Sequence, residues 1–224
     1  MTFSIVARSP NAELFGVAIV SSSPAVGARC AHGRSGVGVV ATQNITDPGL
    51  APRVLDGLQG GLDARDALDH ALASTPHGAY RQLLVLGRGG PPCVHTGARA
   101  LGVTGEAIVL DAAAAGNLLA HPAVPTAMIG AFEAASGHLA ERLLEGVGAG
   151  LAAGGEAGPV HSAALLIMRD VQWPIVDLRV DWSDDDPVAA LGALWRRYAP
   201  QVEDYVQRAL DPTRASSFGV PGDP

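Results

Sequence analysis

The most constraining feature of this chain is a set of short segments that are apolar at nearly every position. The clearest of them cover residues 1–8, 14–21, 36–43, 82–86 and 162–168. A strand with one face in water alternates apolar and polar residues, whereas a strand covered on both faces does not. We therefore expect buried strands that have further layers of structure on both sides.

The order of the segments argues against a sheet built by strict strand–helix alternation. Further strands are predicted at residues 92–96, 107–111 and 175–180, and helices at 53–60, 63–74, 122–136, 138–153 and 187–210. Strands and helices thus come in groups, whereas a Rossmann-like sheet needs them to alternate. The pattern predicts an α+β fold in which two antiparallel sheets stack face to face, with a helical layer outside each sheet.

Length and composition favour one domain. The chain has 224 residues, of which 48% are hydrophobic, enough for a substantial core. We assign residues 1–212 to a single domain, with a C-terminal helical segment at 187–212 that Pro200 bends or divides. Residues 213–224 are rich in Pro, Gly and Ser and are predicted to form a flexible tail.

The charge balance excludes several classes of partner. The formal net charge is −7 and no lysine occurs, so the surface would repel nucleic acids and acidic membranes. Neither a membrane-spanning run nor a signal peptide is recognisable, which predicts a cytoplasmic protein with a small-molecule substrate. Cys30 and Cys93 are predicted to be free thiols, and the histidines show no metal-ligand spacing, so no metal or cofactor is expected.

Thr2 is a candidate nucleophile. Removal of the initiator Met1 would leave a threonine whose hydroxyl lies beside its own α-amine, which has a reference pKa near ~8 and can accept the hydroxyl proton. The alternative is that Thr2 only opens the first strand, which pairs with residues 14–21 as a hairpin.

Several motifs together resemble one bacterial protein family. They are MTFSIVAR at 1–8, GVGVVATQ at 36–43, HTG at 95–97, GNLL at 116–119, SAALL at 162–166 and VDLRVD at 176–181. The family is a domain of unknown function grouped with the N-terminal-nucleophile (Ntn) hydrolases, whose fold is shared with proteasome subunits. The resemblance covers residues 1–185 and implies a four-layer αββα sandwich with Thr2 as the nucleophile.

The resemblance also implies that donors near Thr2 hold the substrate or the oxyanion. The candidates for this role are Ser21, Thr42, Gln43, Asn44, His95 and Asn117. Four of them have a simpler interpretation: turn chemistry for Gln43 and Asn44, a backbone hydrogen bond for His95, and a loop cap for Asn117.

The sequence departs from the related proteins in ways that bear on activity. Proteasome-like sites use a lysine near the threonine, so here Arg29 or Arg53 would have to supply the positive charge. Ser22 and Ser23 stand where the family usually carries an Arg-aromatic pair, and Ala115 stands where a Gln is common. A tyrosine usual in that neighbourhood is also missing from residues 107–114.

Two hypotheses follow from the sequence. The first is an Ntn-type amidohydrolase that cleaves an amide, ureide or peptide-like bond of a small metabolite. The second is a non-catalytic protein on the same fold that binds a small ligand or forms a homodimer or higher homo-oligomer through its last helix. A shared fold does not by itself establish a hydrolase, so both remain open at this point.

Overall fold

A computed structural model of the chain describes residues 1–217. Its first sheet has six antiparallel strands in the order β10-β9-β2-β1-β8-β7. These strands are β1 (Thr2–Arg8), β2 (Phe15–Ser21), β7 (Gly105–Val109), β8 (Ala112–Asn117), β9 (Ser162–Met168) and β10 (Val176–Val180).

The second sheet has four antiparallel strands in the order β3-β4-β5-β6. They are β3 (Ala31–Arg34), β4 (Gly38–Gln43), β5 (Gln82–Gly87) and β6 (Cys93–Thr96). Side chains of β1, β2, β8 and β9 pack against those of β4 and β5 in an apolar cluster, so the two sheets are stacked face to face.

Helices cover the outer face of each sheet. The helices are α1 (Val26–Cys30), α2 (Leu50–Gln59), α3 (Ala64–Ala73), α4 (Val124–Ala134), α5 (Leu139–Ala152), α6 (Pro187–Tyr198) and α7 (Val202–Leu210). The pair α2 and α3 packs on the four-stranded sheet, whereas α4, α5, α6 and α7 contribute to the core on the six-stranded sheet. The predicted four-layer αββα sandwich is therefore confirmed.

Small residues allow close approach between α5 and the central strand β1. A Cβ atom added at Gly150 would lie 3.2 Å from Phe3 Cε2 and 2.7 Å from Met128 Cγ. A larger residue at this position would push the helix away from the sheet, because protein cores have almost no spare volume.

The structure corrects two parts of the expected element order. The weak strand predicted at 107–111 is a hairpin of two strands, β7 and β8, and β8 lies beside β1 in the sheet. Alanine fills four of the six β8 positions, and alanine has low strand propensity, so the sequence carried little signal for this strand. The segment before β4, for which no helix or strand was predicted, holds α1 and β3.

The C-terminal segment divides as predicted, with a 3₁₀ turn at Ala199–Gln201 between α6 and α7. Of the tail predicted at 213–224, the first residues belong to a short 3₁₀ turn at Pro212–Arg214. Residues 218–224 lie outside the described residues.

Candidate active site

Thr2 is the first residue of β1, which is paired on one side with β2 and on the other with β8. It stands opposite Asn117 in the strand register and is only 6% exposed. Its hydroxyl oxygen lies 3.3 Å from the hydroxyl oxygen of Ser21, the last residue of β2. A central strand with partners on both sides therefore holds the Thr2 backbone and leaves the side chain at the end of the sheet.

The carbonyl oxygen of Met1 accepts hydrogen bonds from the hydroxyls of both Thr2 and Ser21. The amide of Ser23 donates to the Ser21 oxygen at 3.0 Å. A carbonyl oxygen can only accept, so the Ser21 proton points toward the Met1 carbonyl while the Ser21 oxygen accepts from the Ser23 amide. Ser21 is thus an oriented donor beside the Thr2 hydroxyl.

A cleft of about 180 Å³ opens at this end of the two sheets. Five of the predicted site residues line it, namely Thr2, Arg29, Gln43, Asn44 and Asn117. The remaining lining residues are Met1, Ser23, Cys30, Ile45, Thr46 and Leu101. The residues come from β1, β4, β8, the residue before β1 and the segments that follow β2, β4 and β6, so stacking of the sheets is what brings them together.

A network of buried amides lies directly behind the cleft. The Ser4 hydroxyl donates to Gln43 Oε1 at 2.8 Å, and Gln43 Nε2 donates to Gln82 Oε1 at 2.8 Å. Gln82 Nε2 donates to Thr96 Oγ1 at 2.9 Å, and Asn117 Nδ2 donates to Gln82 Oε1 at 3.0 Å. Gln82 was not among the predicted residues, although a fully buried glutamine at the start of an apolar strand is a usable signal.

One acceptor of this network has no partner in the part of the chain that the structure describes. Asn117 is 1% exposed, and its Oδ1 atom is buried without a hydrogen bond. A buried polar atom without a partner costs free energy, on the order of 1–3 kcal/mol. An acceptor of this kind, at a cleft, can bind the donor of a ligand.

Asn44 and Thr42 hold the loop that follows β4. Asn44 has a positive φ of 55°, and its Nδ2 atom donates to the carbonyl of Tyr80 at 2.5 Å. The amide of Leu101 donates to Asn44 Oδ1 at 3.0 Å. The Thr42 hydroxyl oxygen accepts from Thr46 Oγ1 at 2.9 Å. These contacts shape one wall of the cleft.

Glu156 is a second residue that the sequence analysis missed. It is 4% exposed, and both carboxylate oxygens accept from the amide of Ser22, at 3.0 and 3.2 Å. Burial raises its pKa to about 6, while the bonds from Ser22 and the positive charges of the Met1 amine and His161 oppose that shift. An isolated antiparallel β-bridge between Leu119 and Glu156 holds Glu156 near Ser22, and the sequence offers no local signal for this bridge.

Two predicted residues lie elsewhere. The Nε2 atom of His95 is 3.0 Å from the carbonyl oxygen of Gly78, and the ring lines a separate pocket beside Glu106. Arg53 is exposed on α2. Arg29 does line the cleft, and its Nη2 atom donates to the carbonyl of Pro24 at 2.9 Å.

The described residues also bear on metals and membranes. Within residues 1–217, no group of three or more His, Cys, Asp or Glu side chains is arranged to hold a metal ion. No helix in the same range combines the length and apolar character needed to span a bilayer. Cys30 and Cys93 are free and buried, and burial raises the pKa of both thiols, to about 11 for Cys93.

Among the solved structures that are similar to this chain are one with a high TM-score and two with low ones. Protein SPO2555 from Silicibacter pomeroyi, described as a DUF1028 protein, has a TM-score of 0.84 at 29% identity, covering 92% of this chain and 94% of that chain. BPH from Thiobacillus denitrificans in complex with epoxomicin has a TM-score of 0.40 at 15% identity, covering 75% and 99%. Anbu, the ancestral beta-subunit, from Yersinia bercovieri has a TM-score of 0.45 at 11% identity, covering 92% and 97%.

No curated protein matches this sequence. Residues 2–191 match the model of a family described as a family of unknown function, DUF1028. The matched range begins at Thr2 and includes the ten strands of the described residues and every residue that lines the cleft except Met1. The resemblance found in the sequence motifs is confirmed, and the chain belongs to the DUF1028 family.

Proposed function

We propose that this protein is an Ntn-type amidohydrolase with Thr2 as its nucleophile after Met1 is removed. The observation that carries this proposal is the position of the Thr2 hydroxyl, which lies on the first residue of a doubly paired strand, at a cleft and 3.3 Å from Ser21 Oγ. A fixed hydroxyl with its own amine and a neighbouring donor has the parts that attack on an amide requires.

In the proposed reaction, Thr2 Oγ attacks the amide carbonyl carbon of the substrate. The hydroxyl proton passes to the Thr2 amine and from there to the leaving nitrogen, so the amide C–N bond breaks as an ester forms on Thr2. Water then hydrolyses the ester by the same groups in reverse. The Ser21 hydroxyl donates to the oxyanion, as it donates to the Met1 carbonyl in the structure.

Other residues of the cleft act by positioning in this proposal. Asn117 Oδ1, which has no protein partner among the described residues, accepts from the Thr2 amine and orients it. Gln43 and Asn44 hold the surrounding elements through their hydrogen bonds. Arg29 supplies positive charge, which favours the unprotonated form of the Thr2 amine.

The experiment compares the untagged wild type with Thr2→Ala and Thr2→Ser. All three carry a small second residue, so Met1 should be removed from each, which intact mass and N-terminal sequencing verify. Against a library of small amides we expect Thr2→Ala to lower kcat/KM by at least about a thousandfold, since it removes the nucleophile, and Thr2→Ser to keep measurable activity. Activity that survives in Thr2→Ala, or that resides in protein with Met1 retained, would contradict the proposal.

A second candidate function is binding without catalysis. The observation that favours it is that the Met1 carbonyl occupies both hydroxyls, those of Thr2 and Ser21. A retained Met1 turns the Thr2 amine into an amide that cannot act as a base. Mass spectrometry that finds Met1 on the whole population, together with ligand-induced thermal stabilisation, would favour this function over hydrolysis.

A further inference from the structure

We propose that the substrate is an amide of an α-amino acid with a free α-ammonium group, and that Glu156 recognises this group. The proposed acyl group occupies the space that Met1 fills in the structure. The inference rests on the proposed function, because it takes Thr2 to be the nucleophile once Met1 has been removed. It adds the chemical class of the substrate and a binding residue.

The position of Met1 is the first argument. Its carbonyl carbon is bonded to the nitrogen of Thr2, whereas the acyl group of a covalent intermediate would be bonded to the oxygen of the same Thr2. The two attachment atoms are on adjacent carbons, and one carbonyl carbon can bridge both in a five-membered ring. An acyl group on either atom therefore lies in nearly the same space, and Met1 resembles an aminoacyl group held at the site.

The contacts of the Met1 carbonyl support this correspondence. The oxygen accepts from the hydroxyls of Thr2 and Ser21, and the Ser21 hydroxyl is itself oriented by the amide of Ser23 at 3.0 Å. A substrate carbonyl needs the same two features, a nearby nucleophile and an oriented donor.

Glu156 is the charged group near the α-amine of the aminoacyl group. Its carboxylate binds the amide of Ser22, the residue that follows Ser21, at 3.0 and 3.2 Å. The charge of the Met1 amine opposes the rise that burial causes in the pKa of Glu156, so the two charges act on each other at a distance, without a direct ion pair. A carboxylate has about four acceptor positions, and the Ser22 amide fills only part of them. An α-ammonium group would bind here, and a neutral N-acyl group would not replace its charge.

The side chain of the aminoacyl group is weakly constrained. Met1 is 37% exposed, and the end of its side chain faces Gly158, 3.6 Å from where a Cβ atom would stand. The cleft, at about 180 Å³, is smaller than the ~300–1,000 Å³ of drug-sized ligand sites. We therefore expect selection for the α-ammonium group with broad tolerance of the side chain, and a substrate no larger than one or two residues.

The proposed reaction needs only the substrate and water. Thr2 Oγ bonds to the aminoacyl carbon, the amide C–N bond breaks, and the leaving amine takes the hydroxyl proton through the Thr2 amine. Water then cleaves the ester, and the products are one amino acid and one amine or ammonia. The α-ammonium group of the substrate stays on Glu156 and takes no part in proton transfer.

The experiment measures binding, so it does not depend on turnover. Mature Thr2→Ala protein is titrated calorimetrically with L-methioninamide and with N-acetyl-L-methioninamide. We expect the free amide to bind at least about tenfold more tightly, as for a hydrogen-bonded charge pair. Equal affinities, or no binding of either compound, would overturn the inference, and Thr2-dependent hydrolysis of other amides would still leave the proposed function intact.

Glu156→Gln in the Thr2→Ala background tests the named residue. It should reduce the affinity for L-methioninamide to that for the N-acetyl compound, while Glu133→Gln, at an exposed carboxylate on α4, should leave both affinities unchanged. A Glu156→Gln protein that keeps the preference would overturn the role of Glu156. If this variant does not fold, the comparison of the two ligands on the parent protein still decides the substrate class.

Discussion

Polar groups are buried at both ends of strand β1, but the two ends differ in how completely these groups are hydrogen-bonded. At the C-terminal end, Arg8 is 7% exposed, and its Nε atom lies 2.8 Å from the carboxylate of Asp111. Arg8 also donates to the carbonyl oxygens of Gly87 at 2.9 Å and Leu110 at 3.3 Å. Because Gly87 belongs to the other sheet, Arg8 joins the two sheets at this end.

At the N-terminal end the polar groups are only partly paired. Asn117 Oδ1 has no hydrogen-bond partner among the described residues, and the pKa of Glu156 is raised by burial. A cleft opens beside Thr2 at this end. Full pairing of a buried charge is what a structural role requires, whereas partial pairing beside a cleft leaves capacity for a ligand. One end of the strand is therefore fully paired, and the proposed site lies at the end where pairing is incomplete.

The largest expected change in stability concerns Arg8, at the C-terminal end of β1. Arg8→Met should lower the free energy of unfolding by about 3 kcal/mol, because it leaves the buried carbonyl of Gly87 and the carboxylate of Asp111 without their donor. Urea unfolding measures this, and kcat/KM per folded molecule should not change. Arg179→Met, which breaks an exposed ion pair, is the control and should cost less than about 1 kcal/mol. If both variants lowered the free energy of unfolding by a similar amount, the structural role assigned to Arg8 would be contradicted.

A smaller change in stability is expected from the buried carboxylate of Glu156, near the N-terminal end of β1. The pKa of Glu156 is raised from 4.5 to about 6, so the folded protein binds this proton more tightly than the unfolded chain. The resulting stability is present below pH ~4.5 and is lost as the pH rises through about 6, a change of about 2 kcal/mol.

Glu156→Gln isolates this effect from the other carboxylates. Urea unfolding at each pH measures the free energy of unfolding of both proteins. The value for the wild type minus that for Glu156→Gln should decrease by about 2 kcal/mol between pH 4.5 and 7. A difference that stays constant with pH would mean that this carboxylate is solvated like an ordinary surface group.

The smallest expected change in stability concerns the unpaired acceptor. Asn117→Leu should change the free energy of unfolding by less than about 1 kcal/mol, since Gln82 Oε1 still accepts from Gln43 and one unpaired atom is removed. The same variant should lower kcat/KM by about tenfold, because the Thr2 amine loses its orienting acceptor.

Gln82→Leu is the matched comparison for Asn117→Leu. It removes the acceptor of two buried amides and the donor to Thr96, so it should destabilise the protein by about 3 kcal/mol. If Asn117→Leu destabilised the protein as much as Gln82→Leu, Asn117 would belong to the structural network and not to the open site.

Some of the polar residues near Thr2 could be predicted from the sequence, and others could not. Thr2, Gln43, Asn44 and Asn117 were named from the sequence, because they end apolar strands or belong to motifs that resemble a known family. Glu156 was not, because it follows two glycines in a loop and no repeat or periodicity marks it. Gln82 begins an apolar strand, which is a weak signal of a buried polar role.

The sequence by itself determined the class of fold and the strand that begins with Thr2. Runs that are apolar on both faces require covering layers, and grouped strands and helices favour two antiparallel sheets, so local pattern was enough. Only the tertiary structure decided that the alanine-rich β8 lies beside β1, and that Asn117 and Glu156 therefore flank the Thr2 end. The physical reason is that pairing between distant segments depends on packing of the whole chain, whereas periodicity reports only which faces are buried.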